Sequence, residues 1–290
     1  MDLGQDRRGV DMGPSAIRYA RLQAVLEELG YPVTDLGNAG TPIPEVVGKE
    51  EAIRHLAAVR GVCEEVAERT ESMISEGLFP IFLGGDHSIS IGTVSGVARS
   101  SGRTGLIWFD AHADFNIPET SPSRNIHGMP LAVLTGRGHP DLVGIGGESA
   151  TVRAEDVVIL GLRSVDVKER GLLLEAGVRV YTMKEIDAYG IASVVRRALR
   201  DLSHLDRVHL SADLDVVDPG VAPGVGTPVR GGLTYREAHL VMELINEAGI
   251  VTSLDVVEVN PILDNRNGTA ELAVELVASL MGRQIIGLPS

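Results

Sequence analysis

The chain has 290 residues, 44% of them hydrophobic and 3% aromatic, so a sizeable core is available and must be built from Ala, Val, Leu and Ile. Its formal net charge of −14 argues against nucleic acid or an anionic membrane as a partner, and its one cysteine, Cys63, excludes an intramolecular disulfide. Residues 1–8 are polar and lack the apolar centre of a signal peptide, and no apolar run reaches the ~18 residues of a membrane span, so a soluble, cytoplasmic protein is expected.

Short apolar runs alternate with longer amphipathic ones. In chain order the pattern predicts a helix over 14–29, a strand over 32–36, a helix over 51–76, a strand over 78–83 and a helix over 88–97. Strands over 105–109 and 157–161 follow, then a helix over 167–176, a strand over 178–181 and helices over 183–188 and 191–201. The last elements are a strand over 208–213, a helix over 235–248, a strand over 251–257 and a helix over 269–281. Such alternation predicts an α/β fold with three α/β/α layers and a mostly parallel central sheet. Several strands are almost wholly apolar, as expected where both faces are covered. Pro14 opens the first helix and Gly30 closes it. No repeat, low-complexity tract or linker divides the chain, so residues 1–290 are expected to form a single domain. The Pro/Gly-rich stretches 116–130 and 218–232 each follow an acidic motif at a strand end and read as active-site loops.

Three motifs converge on one chemistry. His87 follows the run Ile81, Phe82, Leu83 in the sequence Gly84-Gly85-Asp86-His87-Ser88. Asp110, His112 and Asp114 follow Leu106–Phe109. Asp213 and Asp215 follow Val208, His209, Leu210. Each set sits at the C-terminal end of a predicted strand, the edge at which open α/β sheets bind ligands. The alternating spacing Asp110, His112, Asp114 puts three donors on one side of an extended segment. Two histidines and four carboxylates suffice for two divalent ions, and oxygen-rich ligation favours a metal such as Mn²⁺ over a thiolate-type zinc site. Paired metals activate water, so hydrolysis is the expected reaction class. Part of the negative charge is then internal and neutralised by the metals. Asp86 is left as a carboxylate that orients a ligand histidine. His55, His139, His204, His209 and His239 read as surface or packing residues.

These motifs resemble those of the ureohydrolase superfamily, the arginase/agmatinase group, and arginases of the bacterial type above all. The similarity runs from Gly9-Val10-Asp11-Met12-Gly13-Pro14 to the final helix, with Ser211 to Pro219 matching the third metal motif. The stretch from Asn116 to Pro130 resembles the arginase loop that recognises a substrate's α-carboxylate and α-amino group, which agmatine lacks in part. The resemblance implies two Mn²⁺ per subunit. One is held by His87, Asp110, Asp114 and Asp213, the other by His112, Asp110, Asp213 and Asp215. It further implies that Asn116, Ser123 and Asn125 contact the carboxylate end of the substrate, and that Asp166 and Glu169 stand near the amino end. Glu258 pairs with the guanidinium, Thr227 lies beside it, and His127 shuttles a proton; Asp114 joins His127 and Glu258 as a catalytic residue. The implied reaction is hydrolysis of L-arginine to L-ornithine and urea. The alternatives are another guanidino compound (agmatine or guanidinobutyrate) and an inactive metal-binding oligomer. A trimer or hexamer is also implied.

Three positions depart from the family pattern. Arg124 stands where glycine is usual, so either the loop carries strain or the side chain points outward or adds a cation near the substrate carboxylate. Val167 and Lys168 replace Gly or acidic residues beside Asp166. The usual apolar strand ahead of Leu3-Gly4 does not precede Met1, and loss of an interior strand exposes two edges. A chain starting at Met1 is therefore expected to fold poorly, and a cooperative melt with full Mn²⁺ occupancy would refute this.

Overall fold

The computed structural model describes residues 1–47, 53–101, 103–147, 151–284 and 286. Six strands form one parallel sheet: β1 (Ile81–Leu83), β2 (Gly105–Phe109), β3 (Val157–Leu162), β4 (Arg179–Thr182), β5 (Val208–Asp213) and β6 (Val251–Val257). Their spatial order is β1-β6-β5-β2-β3-β4. The helices are α1 (Gly13–Tyr19), α2 (Leu22–Glu28), α3 (Leu56–Ser75), α4 (Ser90–Ser101), α5 (Pro130–Leu134), α6 (Pro140–Val143), α7 (Val167–Ala176), α8 (Met183–Tyr189), α9 (Ile191–Leu202), α10 (Tyr235–Ala248) and α11 (Gly268–Leu280).

The pleat divides the apolar residues between two cores. Ile107 and Phe109 of β2, with Val158 and Leu160 of β3, join α9, α10 and α11 on one face. Leu106, Trp108, Val157 and Ile159 pack with Leu131 and Leu134 of α5 and Leu173 of α7 on the other. On that second face α3 and α4 lie very close. A Cβ on Gly92 would come within 2.6 Å of the Cys63 carbonyl oxygen, and one on Gly96 within 2.4 Å of that of Ala67. No helix among the described residues is long and apolar enough to cross a membrane.

The register builds the site. Phe109 lies opposite Ala212, Ala212 opposite Val256, and Asp213 opposite Val257. Asp110, Asp213 and Glu258 therefore leave three adjacent strands at almost one level. Arg163, just beyond β3, ties this edge together. Its guanidinium donates to the carbonyls of Asp215 (2.6 Å), Val216 (3.0 Å) and Val229 (2.9 Å). The turn after β5 and the 218–232 loop are thus held by one side chain.

Two expected elements differ. The helix over 14–29 breaks at Arg21, whose φ is 69°. In an unbroken helix Ile17 and Leu22 would point roughly 140° apart; the break lets both be buried. Residues 32–36 form no strand. Leu36 is exposed, and Asp35 is held by Arg18 at 2.6 Å, away from any sheet partner for the backbone. An extended segment without a ladder has nothing to hold it as a strand. The helix expected over 51–76 is seen as Leu56–Ser75, and residues 48–52 lie outside the described ones. Met1 and Leu3 are buried, and the Met1 carbonyl accepts from Asp86 N at 2.8 Å.

Lysine in place of Arg163 can serve only part of this carbonyl set. Arg163→Lys is expected to cost about 2 kcal/mol, the order of one or two buried acceptors left unpaired. Chemical denaturation measures it; an unchanged midpoint would mean the three carbonyls need no common donor.

Candidate metal centre

The first motif is a turn organised by a buried carboxylate. Asp86 accepts from Gly4 N at 2.9 Å and Ser88 N at 3.1 Å, and also from the Ser88 hydroxyl. It faces the N-terminal segment rather than the other acidic residues. The turn aims His87 Nδ1 at Asp114 Oδ2 (3.1 Å), Asp110 Oδ2 (3.2 Å) and Asp213 Oδ2 (3.3 Å). Yet Nδ1, fully buried, has no well-directed hydrogen bond to any of them. A buried nitrogen facing three oxygens without bonding one is the geometry of ligands around a shared centre. The His87 ring stacks on Trp108 with centroids 4.0 Å apart, and Trp108 Nε1 donates to Asp110 Oδ2 at 2.9 Å.

The second group shares Asp110. His112 Nδ1 lies 2.9 Å from Asp215 Oδ2 and 3.5 Å from Asp110 Oδ1. Donor atoms of His87, Asp110 and Asp213 lie within 4.8 Å of one another, and so do those of Asp110, His112 and Asp215. Asp110 turns Oδ2 to the first group and Oδ1 to the second, an arrangement open to a bridging carboxylate. Asp213 Oδ1 accepts from Asp215 N at 2.7 Å, and Thr227 Oγ1 donates to Asp215 Oδ2 at 3.0 Å. Asp114 reaches the cluster with φ 47°, a strained value for a residue with a side chain.

The charges are unbalanced. Burial pushes Asp213 well above the usual carboxylate range, and Asp215 and Asp110 add to the effect. Burial and Asp110 push Asp114 up to about 6. Burial opposes charge on the histidines, but their carboxylate neighbours outweigh it. His112 is pushed up to about 12, chiefly by Asp215 and Asp110, and His87 well above its ordinary value. Asp110 is also opposed by burial, but His112 and His87 hold it well below its ordinary value. Two clusters of hard oxygens with one imidazole each fit divalent cations of the Mn²⁺ type.

The remaining expected residues surround this rim. Glu258 directly follows β6 with φ 63°. Its Oε1 accepts from His87 N at 3.0 Å and lies 3.1 Å from His127 Nδ1. Asn116 Nδ2 donates to Asp166 Oδ2 at 3.0 Å, joining the 116–130 loop to the start of α7. Ser123 is exposed; its Oγ accepts from Asn125 N at 3.2 Å, and Asn125 Oδ1 is buried without a partner. Glu169 has both oxygens on backbone amides, Phe115 N at 2.8 Å and Asp166 N at 2.9 Å. It clamps the loop to α7, leaving Asp166 the more open of the two. Sequence reasoning missed Gln5, whose Nε2 donates to Glu258 Oε2 at 3.0 Å. It also missed Trp108, though the chain's one tryptophan two residues from Asp110 was a usable signal.

A group that binds its proton more tightly when folded loses stability as pH rises between its unfolded and folded pKa values. That window runs from 3.8 to about 6 for Asp114, and from 6.5 to about 12 for His112. For Glu169, pushed up chiefly by burial, it runs from 4.5 to about 7. The metal-free protein should therefore melt at lower temperature as pH is raised from about 4 to 8. Added Mn²⁺ should reverse the slope, because metal and protons compete for the same atoms. A metal-free melting temperature that climbs across this range would contradict the charge assignment.

With this geometry in view, the comparisons with known proteins agree. The profile of the arginase family matches residues 1–282. The arginase of Bacillus subtilis (strain 168) is 53% identical over 287 residues, 99% of this chain and 96% of that one. The native structure of Bacillus caldovelox arginase superposes with a TM-score of 0.96 at 52% identity, covering 99% of this chain and 97% of that one. An Entamoeba histolytica arginase, solved in complex with L-ornithine, gives a TM-score of 0.90 at 31% identity over 97% of this chain and 94% of that one. Family profile, sequence and fold all coincide over nearly the whole length, and the chain belongs to the arginase family.

Proposed function

We propose that this protein hydrolyses the guanidinium group of L-arginine to L-ornithine and urea, with two Mn²⁺ per subunit. The observation that carries the reading is Asp110, shared between two ligand groups, one of which holds His87, whose backbone amide donates to Glu258. His87, Asp110, Asp114 and Asp213 would hold one ion, and His112, Asp110, Asp213 and Asp215 the other. Two divalent ions, when bound, make a water nucleophilic at neutral pH.

The chain's own residues supply the rest. Glu258 is opposed by burial, but His127 and the His87 amide outweigh it and hold its carboxyl below the usual range. It is therefore a carboxylate at neutral pH, fit to pair with a guanidinium and orient its carbon. His127 feels the same pair from the other side: burial opposes its charge, and Glu258 raises its pKa nonetheless. A histidine so raised holds a proton near neutrality and can pass it to the departing amine. The family resemblance assigns Asn116, Ser123 and Asn125 to the carboxylate end of an α-amino acid substrate and Asp166 and Glu169 to its amino end. The L-ornithine held by the Entamoeba histolytica arginase is an amino acid of this type. Self-association as a trimer or hexamer is supported by the family resemblance.

Urea release by the Mn²⁺-loaded protein tests the reading. L-arginine should yield urea and agmatine very little; comparable urea from agmatine would contradict the role given to the 116–130 loop. The same assay addresses Arg124, which adopts φ 61° where a glycine would be relaxed. Such strain costs on the order of 1 kcal/mol. Arg124→Gly is expected to retain or improve the KM for L-arginine, and a large rise would show that the Arg124 side chain contributes to binding.

A further inference from the structure

The inner ends of β5 and β6 carry an unusual interior. His209 lies opposite Ser253, and Ser211 opposite Asp255, all four fully buried, with Ser211 and Asp255 bonded to hydroxyls of α4. Asp255 receives donors from every side. Ser211 Oγ donates to Oδ1 at 2.6 Å. Thr93 Oγ1 (2.6 Å) and Ser90 Oγ (3.0 Å) donate to Oδ2, and His209 Nε2 lies 2.9 Å from the same oxygen. His209 Nδ1 reaches Ser253 Oγ at 2.8 Å. The network does not end there: Ser211 Oγ lies 2.8 Å from Nε2 of His87.

Donor arithmetic gives this chain a direction. A carboxylate only accepts, so the Ser211 proton is committed to Asp255 and the Ser211 oxygen must accept from its other neighbours. Ser90 Oγ, 3.1 Å from Ser211, can donate there or to Asp255 without changing that. His87 Nε2 must then be the donor in its bond to Ser211. A neutral imidazole with its proton on Nε2 has its lone pair on Nδ1, the atom that faces Asp110, Asp114 and Asp213. The carboxylate form of Asp255 agrees: burial opposes it, but His209 above all holds the group below its ordinary range.

We propose that Asp255, acting through Ser211, is a positioning residue that fixes the His87 proton on Nε2 and presents Nδ1 to a metal ion. The inference rests on the metal-centre reading above. It gives the buried His209 and Asp255 a task beyond packing. His209 and the two hydroxyls of α4 hold the carboxylate in place, and the carboxylate sets the donor direction two residues away. With Asn at 255 the amide NH₂ can donate toward Ser211. Ser211 is then free to donate to His87 Nε2, and the imidazole proton moves to Nδ1, in competition with the metal.

The test uses ¹⁵N-labelled protein loaded with Zn²⁺, a diamagnetic probe, and long-range ¹H–¹⁵N spectra of its histidines. Wild type should show His87 protonated on Nε2 with Nδ1 metal-bound. Equilibrium dialysis with Mn²⁺ should show two ions in wild type. In Asp255→Asn, one of the two should bind about ten- to a hundredfold more weakly and the other should be unchanged. Ser211→Ala removes the link while keeping the His209–Asp255 pair, and should weaken the same ion; it decides the matter if Asp255→Asn does not fold. Wild-type His87 without a proton on Nε2 would overturn the proposal, as would two Mn²⁺ bound with wild-type affinity in the variants. Wild type that binds no pair of metals would remove the metal-centre reading itself, and this inference with it.

Discussion

Four buried carboxylates cannot share one strand edge unless positive charge joins them. Asp110, Asp114, Asp213 and Asp215 leave two neighbouring strands within a few residues of one another, all buried. Repulsion between like charges in a poorly solvated site is large, and it must be met by protons or by cations. The upward displacement of Asp114, Asp213 and Asp215 is the proton answer. Divalent ions, as proposed above, are the other, and the orphaned Nδ1 of His87 supports that reading. Most local features of this edge keep that concentration of charge in place.

The backbone takes up part of the strain. Asp114 and Glu258 both adopt positive φ, a conformation that residues with a Cβ avoid, and both point at the rim. Polar anchors hold them there. Arg163 spans the turn after β5 and the 218–232 loop, Asp86 caps the His87 turn from beneath, and Glu169 fixes the loop after Asp114 to α7. None of these three faces the ligand atoms. They show how a charged site can be held rigidly by carbonyls and amides already within reach.

Much of this was legible in the chain. β2 was legible at its observed bounds because a strand covered on both faces is a short, unbroken apolar run closed by a polar residue, whereas β5 and β6 were legible from their apolar content although His209, Ser211, Ser253 and Asp255 lie inside them. The metal motifs were legible because each stands at or within a few residues of the C-terminal end of a strand: His87 after β1, Asp110, His112 and Asp114 after β2, and Asp213 and Asp215 at the end of β5. The strand expected over 32–36 was wrong because apolar content alone does not supply a hydrogen-bonding partner. The helix break at Arg21 was missed because it answers a packing demand, the burial of Ile17 and Leu22 on one side. Gln5, Ser211 and Asp255 could not have been given their contacts from sequence. Their partners depend on cross-strand register and on the path of the N-terminal segment. His209, expected at the surface or in packing, is a fully buried polar partner of Asp255.

The central claim is that Asp110 joins two cation sites. Crystals soaked in Mn²⁺ and measured at the manganese absorption edge test it directly. Two anomalous peaks about 3.5–4 Å apart, both in contact with Asp110, are predicted. A single peak, or a pair that does not share Asp110, would contradict the account.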